Sequence, residues 1–317
     1  MRKRFTTSAL ISVALLCGAC VMLIPLQVGP ATDISIKVTP ERIERGEYLA
    51  SHVWICLDCH SKKSEEHYSG PVIPGTEGMG GQIFDSRFGR IYATNITPYE
   101  LDSWTDGEIV RAITEGVNKN GEPLFPFMPY TLYGQMDRED VYSVVAYLRT
   151  LQPILHDVPK RELKQSAKYL VRKMPRNASL HPRPDRSDTA AYGEYLSIVC
   201  YFCHTPQKRG KPDRDMLYAG GVKHRLPSGE VVQSTNITPD EETGIGNKSK
   251  DNFIGIFKAF DSQEAREILI PTREKGSDTS MPWTLFAGMT QEDLGAIYNY
   301  LRTIQPVKNK VEKYPLE

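Results

Sequence analysis

The feature that most restricts this chain is that it carries one pattern twice. Gly46-Glu47-Tyr48-Leu49 recurs as Gly193-Glu194-Tyr195-Leu196, and Cys56-Leu57-Asp58-Cys59-His60 as Cys200-Tyr201-Phe202-Cys203-His204. Gly80-Gly81 recurs as Gly220-Gly221, and Thr94-Asn95-Ile96-Thr97-Pro98 as Thr235-Asn236-Ile237-Thr238-Pro239. Last, Met128-Pro129 through Gln152-Pro153 matches Met281-Pro282 through Gln305-Pro306 at a constant offset of 153. Five landmarks in one order imply a tandem duplication, with copies over about 35–155 and 188–307. Each copy has the length of an ordinary domain. Residues 156–187 are polar, basic and proline-containing (Pro175, Pro182, Pro184) and read as a linker, with a short helix expected near 160–173.

Each copy opens and closes with a helical pattern. In the first closing segment Val141, Val144, Val145, Leu148 and Leu151 share one face, with Asp137 as N-cap and Asp140 three residues on. The second repeats this with Leu294, Ile297, Tyr298, Leu301 and Ile304 after Thr290 and Asp293. Pro153 and Pro306 end both segments. Alternating strand pattern is scarce, so the expected fold is mostly α.

Cys-x-x-Cys-His is what covalent haem attachment requires. Two thiols three positions apart on one helical turn reach both vinyl groups of a porphyrin, and the adjacent imidazole meets the iron. A random chain of this length would hold about 0.003 such motifs. Cys56, Cys59 and His60, with Cys200, Cys203 and His204, are therefore the expected attachment residues for two haems c. A zinc ribbon needs its knuckles about 15–20 residues apart, whereas Cys59 and Cys200 are 141 apart. A thioredoxin-like motif would need a βαβ pattern, which the sequence lacks.

His60 and His204 supply one axial ligand each. For the opposite side of the iron, Met128 and Met281 stand far along each copy, and the proline after each extends and stiffens its loop. Met136 and Met289 also match at the same offset but directly precede the closing helix, a position suited to packing. His52, His67, His156, His181 and His224 have no counterpart in the other copy and are read as surface residues. The Thr-Asn-Ile-Thr-Pro segments could either bind a haem propionate or fix a turn. The Gly-Gly pairs could admit backbone to the porphyrin edge or simply turn. Trp104 and Trp283 are expected in core or haem-wall packing.

The chain has 39 basic and 39 acidic residues in 317, so global charge gives no case for nucleic-acid binding. Its N-terminus begins Met1-Arg2-Lys3-Arg4, and Ala9 to Val28 carries no charge. Twenty helical residues span roughly 30 Å, one bilayer core. The basic flank places the N-terminus in the cytoplasm and the remainder outside it. An uncleaved anchor, a cleaved signal peptide, and lipidation at Cys20 are the three readings, and all imply export.

The order Gly-x-Tyr-Leu, Cys-x-x-Cys-His, Gly-Gly, Thr-Asn-Ile-Thr-Pro, Met-Pro-Tyr/Trp, Tyr-Leu-Arg resembles class I cytochrome c domains. More narrowly, it is similar to the multihaem cytochrome c subunits of membrane-bound alcohol and gluconate dehydrogenases, down to Thr235–Asp240 and Thr243-Gly244-Ile245-Gly246. Those subunits carry three haems and a C-terminal anchor, against two motifs and an N-terminal apolar segment here. The resemblance covers 40–155 and 188–307, so the chain is expected to divide into an N-terminal anchor or signal segment at 1–30, cytochrome c domains at 31–155 and 188–317, and the linker at 156–187. It also implies an electron carrier without catalysis of its own, in the bacterial inner membrane and facing the periplasm. Its donor would be a dehydrogenase and its acceptor a quinone or an oxidase-side protein. The rivals are a dihaem cytochrome c peroxidase and a thiosulfate- or sulfite-oxidising dihaem cytochrome, each needing one iron with a different or open sixth site.

Overall fold

The computed structural model of the protein describes residues 26–271 and 276–315. The first copy runs α1 (Pro40–Tyr48), one π turn (Leu49–Val53), α2 (Cys56–His60), the hairpin β1 (Ile83–Ser86) and β2 (Gly89–Tyr92), α3 (Pro98–Leu101), α4 (Asp106–Glu115), α5 (Tyr130–Tyr133) and α6 (Arg138–Leu148). The intervening stretch contributes β3 (Glu162–Leu163) and α7 (Gln165–Arg172). The second copy follows with α8 (Thr189–Leu196), α9 (Ile198–His204), two short hairpins, β4 (Gln207–Lys208) with β5 (Lys211–Pro212) and β6 (Lys223–Arg225) with β7 (Val231–Gln233), then α10 (Lys250–Lys258), α11 (Gln263–Arg266), α12 (Trp283–Phe286) and α13 (Gln291–Leu301).

The helix starts follow the sequence. The Asp137 carboxylate accepts from the amides of Glu139 and Asp140 at the head of α6, and Thr290 Oγ1 accepts from Asp293 N at 3.1 Å at the head of α13. Opening and closing helices of each copy cross at a glycine. A Cβ on Gly46 would run into the carbonyl of Ser143, and one on Gly193 into that of Ala296. Only glycine allows α1 to lie this close to α6, and α8 to α13. Around both crossings runs one continuous core that includes Leu49, Val144 and Leu148 in the first copy and Leu196, Leu294 and Leu301 in the second.

The fold is mixed rather than mostly α: about 36% of the described residues are helical and 9% are strand. The scarce alternation in the sequence hid the hairpins because their strands are only two to four residues long. β3 adds to β2, giving a sheet in the order β1-β2-β3. Under it Ile91, Phe125 and Val171 form a small second core, so the expected short helix of the linker, α7, is packed against the first copy. Among the described residues no helix is long and apolar enough to cross a membrane. Nearly all of the apolar N-terminal segment, Cys20 included, lies outside the described residues.

The two copies are joined by a reciprocal bond. Tyr48 OH donates to Asp293 Oδ2 at 2.8 Å and accepts from Thr290 N, while Tyr195 OH donates to Asp140 Oδ2 at 2.6 Å and accepts from Asp137 N. The tyrosine of each Gly-Glu-Tyr-Leu thus caps the closing helix of the other copy. This is the self-complementary contact expected of two like units facing each other. Asp140 is 1% exposed and also takes a bidentate pair from Arg45 and a third bond from Arg183. Burial raises the Asp140 pKa, but Arg45, Tyr195 and Arg183 outweigh it and hold the carboxylate below its usual range.

A depressed native pKa contributes stability that is present above the unfolded value, about 3.9, and is lost as pH falls through the native one. Urea midpoints should therefore decline from about pH 4 downward, and Asp140→Asn should flatten that decline. A parallel slope in both proteins would refute the assignment. Gly46→Ala should cost about 1–3 kcal/mol by overpacking the helix crossing. Gly255→Ala, inside α10 with nothing within 4 Å of the added methyl, should gain about 0.5–1 kcal/mol, read from the same unfolding curves.

Candidate haem-binding sites

The two Cys-x-x-Cys-His segments sit on α2 and α9, each a short helix, so that both thiols and the imidazole of a set leave from one turn. All four cysteines are free. Burial pushes each thiol up to about 12, and for Cys59 the Asp58 carboxylate adds to it. Such thiols stay protonated at neutral pH, unlike the low-pKa cysteines of dithiol redox centres. The Cys203 thiol adds a smaller electrostatic push to Cys59. Ile55, just before Cys56, has φ 46° and ψ 42°, left-handed backbone for a β-branched residue. Strain of that kind persists only where the surroundings over-determine it.

Both imidazoles are held in the same way. His60 Nδ1 bonds the carbonyl of Thr94 at 2.7 Å, and His204 Nδ1 bonds that of Thr235 at 2.7 Å. A carbonyl only accepts, so Nδ1 carries the hydrogen and Nε2 presents its lone pair. Burial lowers both pKa values, that of His204 to about 4, which keeps the rings neutral, the form that ligates a metal.

The repeated glycines make this bond possible. Gly80 N donates to His60 O and Gly220 N to His204 O, both at 2.8 Å. A Cβ on Gly80 would collide with Thr94, and one on Gly220 with Thr235; both glycines have φ near +75° (73° and 75°). The repeated asparagines then tie this strand to the end of the closing helix. Asn95 Nδ2 donates to Ile154 O (2.9 Å) and His156 O (3.2 Å), while its Oδ1 accepts from Thr97 N and Oγ1. Asn236 Nδ2 donates to Val307 O (2.7 Å) and Thr243 Oγ1 (2.9 Å), with Oδ1 taking Thr238 N and Oγ1. The asparagine side chains thus fix the turn, and Thr94 and Thr235 of the same segments stand in the cavity wall.

His60, His204, Met128, Met281 and the four cysteines Cys56, Cys59, Cys200 and Cys203 all line one cavity of about 4450 Å³, as do Trp54 and Phe202. A pocket for one small ligand is about 300–1,000 Å³, so this space has room for two large flat groups. Pro129 and Pro282 each centre a tight turn after the methionine: Tyr130 N donates to Met128 O at 2.8 Å and Trp283 N to Met281 O at 2.9 Å. Met136 and Met289 are each 1% exposed within the core and do not line the cavity. Trp104 and Trp283 both stand in the cavity wall.

Four of the five unmatched histidines are not surface residues. His52 is half-buried and its Nδ1 lies 2.7 Å from Leu285 O of the other copy, while His67, His156 and His224 are half-buried in the cavity wall; only His181 is exposed. They lack counterparts because they serve the contact between copies or the rim, where the copies differ. The carbonyls of Thr94 and Thr235 escaped sequence reasoning, since a main-chain acceptor leaves no side-chain signature, although the repeated segment contained them.

The donor set fits covalently attached haem: paired protonated thiols, a neutral imidazole with Nε2 free, and a thioether in the same cavity. Trp54, 1% exposed, is also part of the cavity wall.

No family model matches the chain. It is similar to the cytochrome c subunit of a quinone-type alcohol dehydrogenase from Gluconacetobacter polyoxogenes, 26% identical over 84% of this chain and 56% of that subunit. It is also similar to the fructose dehydrogenase cytochrome subunit of Gluconobacter japonicus, 26% identical over 95% of this chain and 60% of the subunit. A diheme cytochrome c-type protein of Cereibacter sphaeroides is 26% identical over 75% of this chain and 80% of its own length. The chain thus spans under two thirds of the dehydrogenase subunits' length.

Asn236→Ala should lower stability by about 2–4 kcal/mol, because it strands buried partners at both ends of the tie. Thr94→Val, which keeps the carbonyl that His60 uses, should leave the His60 ring bond intact. Chemical unfolding measures the first and the imidazole ¹⁵N shifts of His60 measure the second; an Asn236→Ala protein as stable as the parent would contradict the tie.

Proposed function

We propose that the chain is a dihaem c-type cytochrome that carries electrons for a dehydrogenase, with one haem domain at 31–155 and a second at 188–317. The observation that carries this is the placement of both Cys-x-x-Cys-His sets and the two Met-Pro turns around one cavity. Haem c supplies reversible one-electron chemistry at iron. Cys56 and Cys59 would hold the first haem and Cys200 and Cys203 the second, through thioether bonds. His60 and Met128 would be the axial ligands of one iron, and His204 and Met281 those of the other.

The chain's own groups suit a carrier rather than a catalyst. Each imidazole is fixed by a main-chain carbonyl, so it neither rotates nor titrates during turnover. Both candidate methionines are anchored by a proline turn, and a thioether paired with an imidazole on each haem would give a high potential relative to bis-histidine ligation. With both ligand sets made, neither haem would have the open site that peroxide or sulfur-oxyanion chemistry needs. The similarity to dehydrogenase cytochrome subunits supports a dehydrogenase as donor, with a quinone or an oxidase-side protein as acceptor. The apolar N-terminal segment supports attachment to the bacterial inner membrane, with the haem domains in the periplasm.

Protein produced with cytochrome c maturation should have the mass of the polypeptide plus two haems, and be low-spin with two methionine-to-iron charge-transfer bands. Met128→Ala and Met281→Ala should each remove one band. A single haem by mass, or a high-spin iron that turns over peroxide, would overturn the carrier reading.

A further inference from the structure

The two Met-Pro turns are built alike but supported differently. Beside Met128 stand Phe125 and Phe127, whose rings meet edge-on at 4.8 Å, backed by Phe84, Phe88 and the linker helix α7. Beside Met281 stands a loop of the first copy. That loop, residues 61–70, begins directly after His60. It lies along residues 268–270 with two strand-like bonds, Tyr68 N to Ile268 O and Ile270 N to Glu66 O, both at 2.8 Å.

At its tip the hydroxyl of Ser69 closes on the second turn. Ser69 Oγ donates to Met281 O at 2.6 Å and accepts from Trp283 N at 2.8 Å, the two groups that form the proline turn. Ser69 N donates to Asp278 Oδ1 at 2.9 Å, and Ser69 is 4% exposed. Its φ is +68°, a conformation unusual for a residue other than glycine. Tyr68 stacks on Phe260, and Phe260 stacks on Trp283, at 5.9 and 5.4 Å. Among the described residues the Met128 turn carries no comparable bracket. A serine held in left-handed backbone, with both capacities of its hydroxyl spent on one turn of another domain, is a placement that packing alone does not require.

We propose that Ser69 is a positioning residue that sets how firmly Met281 binds the second iron, so that the first domain tunes the second haem across the domain boundary. This rests on the reading of Met281 as an axial ligand. Deleting the hydroxyl loosens the turn by which Met281 is presented, while leaving the polypeptide around the first iron unchanged. Thioether ligation favours the reduced iron, so the loosened site has a lower potential and yields more readily to an added ligand.

The test uses the full-length, two-haem protein and Ser69→Gly, which suits the left-handed backbone and removes only the hydroxymethyl group. In the reduced protein each iron-bound methionine gives its own high-field methyl resonance, and the one lost in Met281→Ala marks the second haem. Ser69→Gly should shift or broaden that resonance alone, lower that haem's midpoint potential alone, and raise its affinity for imidazole roughly tenfold, the equivalent of one hydrogen bond. Asp278→Asn, which weakens the anchor of the Ser69 amide while keeping the side chain's shape, should move the same resonance in the same direction and serves if Ser69→Gly does not accumulate. Unchanged resonances, potentials and imidazole affinities in a parent with two methionine-ligated haems would overturn this inference alone. A parent with no methionine resonance assignable to Met281 would instead overturn the ligand reading, and this inference with it.

Discussion

The bond from each histidine Nδ1 to a threonine carbonyl is the constraint on which the rest of the architecture depends. It fixes the ring, the tautomer and the direction of Nε2 together. For the carbonyl to arrive there, a strand must press against the chain following the histidine, and only the glycines at 80 and 220 let it do so. The strand is kept in place by Asn95 and Asn236, which fasten it to the residues after the closing helices. Those helices lie on the opening helices at Gly46 and Gly193, and the opening helices lead back into the cysteines. Each copy is therefore a closed ring of contacts that starts and ends at the attachment motif. The five repeated landmarks are the points where that ring is pinned.

The ring explains why the landmarks were legible and why their neighbours were not. Gly46, Gly80 and Asn95 occupy positions where no other side chain fits the contact, so duplication preserved them and self-comparison found them. The helix caps at Asp137 and Thr290 could be read for the same reason, since capping chemistry is local. The hairpins could not: their strands are a few residues long and gain their partners from the tertiary fold, β3 coming from the linker. The role of Tyr48 and Tyr195 was also hidden. Each lies in a recognised repeat, but that its hydroxyl reaches the other copy's closing helix is a fact about two copies together. His52 was misread as a surface residue for the same reason, because its acceptor, Leu285, is 233 residues away.

Two of the contacts between the copies differ in symmetry. The tyrosine–aspartate bonds are reciprocal and treat the copies as equals. The loop of residues 61–70 does not, for it runs from the first attachment helix to the second methionine and has no described equivalent in return. Duplication supplies two matching sets of candidate ligands, and divergence outside those sets then makes their surroundings unequal. In a carrier with two irons this matters, because identical sites would offer no thermodynamic preference between them.

The firmness of an axial ligand is governed by the local stability of the loop that bears it, which is drawn from the same contacts that set local unfolding elsewhere in a protein. For Met128 those contacts are aromatic rings and a linker helix, all apolar and all on the near side in sequence. For Met281 they are two hydrogen bonds to one serine hydroxyl and a stack of three rings, with Ser69 and Tyr68 supplied from more than 200 positions away. Apolar packing yields gradually, whereas a bracketing hydroxyl is either made or broken. On the proposed ligation, the second site would therefore respond in steps to anything that moves the first domain's loop, including the state of the helix at Cys56–His60 from which that loop departs.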